Sequence, residues 1–109
     1  MIDTINLNDY LTPGAKVFTG RDRGIDVRKQ SNIDQRVISA DKIIIEIPVQ
    51  VRSINPSFLE EFLVNTVRTH GREGFLQRVS FTKAQRYDVS DDLEEAIDRI
   101  LTEENALAT

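Results

Sequence analysis

The chain contains no cysteine and a single histidine. The first absence removes any disulfide framework and any thiolate metal site. The second leaves a typical zinc site without enough ligands. Apolar runs are short: Ile43, Ile44 and Ile45 make a run of three, against about 20 for a membrane-spanning helix. The opening Met1-Ile2-Asp3-Thr4-Ile5-Asn6 has neither the basic stretch nor the apolar centre of a secretion signal, so a cytoplasmic location is expected. Internal repeats and low-complexity segments are missing too. So is a phosphate loop, because Gly71-Arg72-Glu73-Gly74 follows a helical pattern and lacks the Lys-Ser/Thr ending.

What is present is an ordinary globular balance. The 109 residues suit one domain with its own core, expected over residues 15–104 with a frayed tail over 105–109. Hydrophobic residues make up 39% and charged residues 29%, which argues against disorder. The net charge of -4 disfavours nonspecific nucleic-acid binding.

Lys42 to Thr82 organises the rest. Ile43, Ile44, Ile45 and Ile47 are crowded β-branched residues, as in a central strand buried on both faces. Pro48 lacks a donor and ends that strand near Ile47. Asn55 is then a favoured helix cap, and Pro56 suits the first helical position. Ile54 and Leu59 fit a hydrophobic staple, and Glu60 and Glu61 sit early, where the helix dipole favours acids. Phe58, Leu59, Phe62, Leu63, Thr66 and Val67 recur at three and four. Arg68 and His70 come late, and Gly71 stands just past the expected end. Phe75, Val79 and Phe81 mark a second core strand, Arg78 to Thr82. A strand, turn, helix and parallel strand is the basic α/β unit.

The flanks are less clear. Ile5, Leu7 and Leu11 alternate with polar residues and predict an edge strand within Asp3 to Leu11. Thr12-Pro13-Gly14 is a turn signal. Gly20 to Gln30 reads as a helix capped by Thr19, and Gly24 within it suggests close packing on a neighbouring backbone. Ser31 to Asp41 reads as loop, with Arg36-Val37-Ile38-Ser39 either extended or a helical turn. Ser90 is expected to cap a last helix with Asp91 and Asp92 in its first turn. Leu93, Ala96, Ile97, Ile100 and Leu101 form its stripe, while Glu94, Glu95, Asp98 and Arg99 face water.

The segments Thr19-Gly20-Arg21-Asp22-Arg23-Gly24 and Ile54-Asn55-Pro56-Ser57-Phe58-Leu59-Glu60-Glu61-Phe62 resemble small bacterial STAS-like domains, relatives of the anti-sigma factor antagonists. The resemblance spans about Val17 to Thr82. It implies an α/β fold, a small mixed sheet packed with about three helices. It also implies a non-enzymatic regulatory module that needs no cofactor. The partner it implies is a histidine-kinase-like ATPase acting as an anti-sigma factor or kinase. Binding would involve Arg21, Arg23, Ile54, Asn55, Ser57, Phe58, Glu60 and Glu61, with phosphorylation at Ser57 as the switch. Members carry two or three hydroxyl residues at that helix start; this chain has Ser57 alone, after Asn55 and Pro56. They also carry a small, turn-prone pair where this chain has Pro48-Val49-Gln50.

Other readings stand beside these. Ser57 also suits a plain helix-start position. Arg21, Arg23, Arg28 and Lys29 form either a binding face or a solvated one diluted by Asp22 and Asp26. His70 complements a helix end. The pairs Glu60-Glu61 and Asp91-Asp92 sit in first or second helical turns, where acids suit helix stability without any acid–base role. The alternative function is a scaffold that self-associates, as a homodimer for instance, through a sheet edge or the last helix. A small enzyme is the third reading.

Overall fold

The computed structural model describes residues 1–10 and 14–108, with side chains as far as residue 103. It is an α/β fold. Strands β1 (Ile2–Asn6), β3 (Lys42–Glu46) and β5 (Val79–Phe81) form one sheet in the order β1-β3-β5. Both pairings are parallel, with Ile2 opposite Lys42 and Ile45 opposite Phe81. Strands β2 (Val17–Phe18) and β4 (Ser53–Ile54) form a second parallel pair. The helices are α1 (Arg21–Ser31), α2 (Ile33–Ser39), α3 (Pro56–Arg78) and α4 (Ser90–Ala108).

The expected unit, strand to helix to parallel strand, is present with β3 at the centre and β1 at an edge. Ile43 and Ile45 of β3 are buried and Ile44 is half-buried, as a covered central strand requires. The strand stops at Glu46, before Pro48. The first strand ends earlier than expected. Leu7–Tyr10 turns into a short 3-10 helix, which swings the buried Leu7 inward. Leu11, Thr12 and Pro13 lie outside the described residues.

Four further differences lie along the chain. Gly20, not Thr19, occupies the cap position of α1, and no side chain bonds there. The stretch expected as loop holds α2. Asn32 adopts the left-handed conformation (φ 55°, ψ 37°) and donates its N–H to Lys29 O, so the chain turns and starts again as helix. Ile33, Val37 and Ala40 then bury one face. At Gly71 the backbone takes φ 73° and ψ 174°, which other residues rarely adopt. The first part of α3 breaks there, where its end was expected. A second helical piece then runs to Arg78 where a short link was expected. The backbone of α4 remains helical to Ala108, across most of the expected tail, and Thr109 lies outside the described residues.

Helix α3 is the hub, packed by α1 and α4. Its Phe58 ring lies 4.8 Å from that of Phe18 and 5.8 Å from that of Phe62. Both distances suit favourable tilted aromatic pairs. Ala96, Ile97 and Ile100 of α4 are fully buried, so the stripe of the last helix belongs to the core.

Candidate functional site

The start of α3 is tied down by hydrogen bonds. Asn55 has extended backbone angles, and its Oδ1 accepts the Ser57 N–H at 2.8 Å. Its own N–H donates to Phe18 O at 2.9 Å, which ties α3 to the end of β2. Its carbonyl accepts from Phe58 and Leu59, so the first-turn donors are satisfied. Ser57 follows in this turn, half-buried, and its hydroxyl makes no hydrogen bond to a described residue.

One turn on, three helices meet around a buried carboxylate. Glu60 is only 4% exposed. Its Oε2 accepts from Arg21 of α1 at 2.8 Å, and its Oε1 accepts from Arg99 of α4 at 3.1 Å. Two guanidinium groups therefore compensate one carboxylate, as burial of a charge demands. Arg21 also reaches Glu61 Oε1 at 3.3 Å, and Arg99 pairs with Glu95. The hydrogen bond to Glu60, reinforced by its charge, raises the Arg21 pKa, with Glu61 adding to it. Arg28 donates to Glu61 O at 2.6 Å. Gly24 lets α1 approach this closely: a Cβ there would fall 2.4 Å from Phe58 O and 2.9 Å from the Glu61 Cβ.

The expected binding residues divide. Arg21, Glu60 and Glu61 come together in one network, with Asn55 and Ser57 beside it on the first turn. Arg23 stands apart and donates to Tyr10 O at 3.2 Å. Ile54 and Phe58 are core residues, 1% and 0% exposed. With Glu60 they support the surface from beneath and do not form it. The apolar neighbours of Glu60 explain its burial. It precedes Val64 by four residues and Val67 by seven, so it shares their side of α3. That spacing is readable in sequence. Arg99 carried no such signal, because the tertiary contact to α3 takes it from the water-facing side of α4.

Tyr87 is a further residue that sequence reasoning missed. Its phenol oxygen lies 2.6 Å from Asp92 Oδ2 and 3.2 Å from Ile54 O. It thereby pins the loop before α4 to the segment leading into α3. Burial, with Asp92 as acceptor, pushes its pKa upward. Asp91 is exposed, so the acidic pair at this helix start splits between anchoring and solvent. His70 is half-buried at the first end of α3; burial, then nearby Arg78, lowers its pKa. No cluster of metal-ligating side chains occurs among the described residues.

The chain matches no protein-family model, no curated protein and no solved structure.

Proposed function

We propose that this domain is a non-enzymatic regulatory module of the STAS-like kind, which binds a protein partner across the start of α3 and the adjoining end of α1. The observation that carries the reading is the Ser57 hydroxyl, which bonds no described residue, on a capped helix start one turn before the Glu61 that contacts Arg21. A phosphate on Ser57 sits four residues before Glu61 on the same helix face, where like charges repel. It also competes with Glu61 for Arg21. The helix dipole favours the added charge, so the surface changes while the fold persists. Buried Glu60 keeps its grip on Arg21 and Arg99 and holds α1 and α4 in place meanwhile. By the sequence resemblance, the partner is a histidine-kinase-like ATPase or an anti-sigma factor.

The test is affinity capture from the native host with the tagged chain, its Ser57→Ala form and its Ser57→Glu form. The reading expects an ATP-binding kinase-like protein with the first two and at least about tenfold less with the third, a difference of about 1.4 kcal/mol. Equal capture by all three removes the switch.

Self-association is the second reading, favoured by the exposed edge residue Ile2, 63% exposed on β1. A parallel-sheet edge can pair with a second copy, here around Thr4, whose N–H and carbonyl already bond Asp3 and Arg36. A stable dimer in light scattering, with no captured partner, would favour it over the regulatory module.

A further inference from the structure

Most arginines of this acidic chain are held by oxygen acceptors. Arg21, Arg28, Arg36, Arg68, Arg72 and Arg99 all face carboxylates. Lys16, Arg52 and Arg86 differ. All three are exposed, and their side chains have no partner among the described residues. Together with Gln50 and Gln85 they line one cleft of about 290 Å³, and no carboxylate among the described residues lines it.

The fold brings them together by specific means. Lys16 and Arg52 each precede a strand of the β2–β4 pair. The parallel register sets Val17 opposite Ser53, so Lys16 and Arg52 are counterparts, with the Arg52 N–H donating to Lys16 O at 2.7 Å. Counterparts on neighbouring strands present their side chains to the same face. Arg86 arrives on the loop between β5 and α4. That loop is folded by Ala84 N–H to Tyr87 O, at 3.2 Å, and anchored by the Tyr87 phenol. Gln50 belongs to the turn after β3, closed by Val51 N–H to Pro48 O at 3.0 Å. The cleft thus lies beyond the carboxyl end of the central strand, where open parallel sheets take their ligands.

We infer that this cleft binds a small phosphorylated molecule, its phosphate seated among Lys16, Arg52 and Arg86 and its body against Gln50 and Gln85. Three cationic residues lining one cleft suit a dianion better than a single carboxylate, and the guanidinium fork matches phosphate oxygens. The glutamine amides supply donors and acceptors for hydroxyl groups. The cleft has room for about ten waters, at the small end of ligand pockets. The net charge of -4 opposes a long polyanion, which the cleft alone would have to hold against the rest of the surface. None of these residues belongs to the α3 surface around Ser57, so either reading can fail without the other.

The experiment is a ¹⁵N-resolved NMR titration at low salt with ribose 5-phosphate, inorganic phosphate and ribose as separate probes. Ribose 5-phosphate is expected to shift the amides of Lys16, Gln50, Arg52, Gln85 and Arg86 saturably, and to bind about tenfold more tightly than inorganic phosphate or ribose. The Arg52→Gln/Arg86→Gln double variant is expected to lose at least about tenfold in affinity. The single Arg86→Gln variant should lose part of that, with melting unchanged in both because neither side chain bonds a described residue. A Lys29→Gln control on α1 should bind as the parent does. No saturable shift up to about 10 mM would overturn the proposal. So would equal binding by the double variant, or binding of inorganic phosphate or ribose as tight as that of the ester.

Discussion

Gly24 is where one hydrogen atom decides how two helices meet. A methyl group there would stand 2.4 Å from a backbone oxygen of α3, which has no rotamer to escape by. Gly24→Ala is therefore expected to destabilise the fold by about 1–3 kcal/mol despite the better helix propensity of alanine, through forced overpacking. Chemical denaturation measures it, and a stabilised variant would contradict the geometry. Glu60 is the second decisive residue. Glu60→Gln keeps the volume and removes the charge between Arg21 and Arg99. Both guanidinium groups are about half exposed and can turn to water, so the loss should be about 1.5–2 kcal/mol, at the low end for a charged hydrogen bond, and not the larger penalty of a stranded buried ion. The same denaturation midpoint reads it out.

Among elements, the two pieces of α3 and the α1–α2 corner depend on single backbone conformations. Gly71→Ala is expected to cost about 1–3 kcal/mol, since alanine is strained at φ 73°, ψ 174°. Hydrogen exchange should show the loss first in residues 72–81, which hang on that break. At Asn32, replacement by Gly should be nearly neutral and replacement by Ala should cost about 1 kcal/mol, because only the latter resists the left-handed turn. These elements also show what sequence carried. Asn55-Pro56 announced the start of α3, the isoleucine cluster announced β3, and Gly24 announced a close helix contact, because each rests on local chemistry. Helix α2 was hidden because its stop and restart occupy one polar residue, Asn32, within a stretch that reads as loop. The β2–β4 pair was hidden because two-residue strands have no period. Of the site, Arg21 and Glu61 were named through the resemblance and do meet; the burial of Glu60, expected on a binding surface, and the reach of Arg99 from α4 were not foreseen.

For the molecule as a whole, acid should act in two stages. His70 has a pKa lowered by burial and then by Arg78, so it binds a proton more readily when unfolded. Its contribution is complete above the ordinary histidine value of about 6.5 and is lost as pH falls from there toward the depressed native value. The Asp3 carboxyl is held below its usual range by Arg36, which bonds it at 2.7 and 2.8 Å, and by the Thr4 N–H, against some burial. Asp41, held by the N-terminal amine, and Asp88, held by Ser90, are lowered likewise. Their contribution stands above about pH 4 and is lost as pH falls through the depressed values. Denaturation followed against pH should show a first decline below about pH 6.5 that His70→Gln removes, then a second below about pH 4 that Asp3→Asn reduces.

The central claim is that the start of α3 is a partner surface switched by charge at Ser57. The most direct measurement is quantitative affinity capture from the native host with the parent chain, Ser57→Ala and Ser57→Glu side by side. Stoichiometric recovery of a kinase-like ATPase or a sigma-factor regulator by the first two, and its loss with the third, is the expected result. Recovery of the chain alone from all three, as a defined homo-oligomer, would contradict the account and leave the sheet edge as the surface that matters.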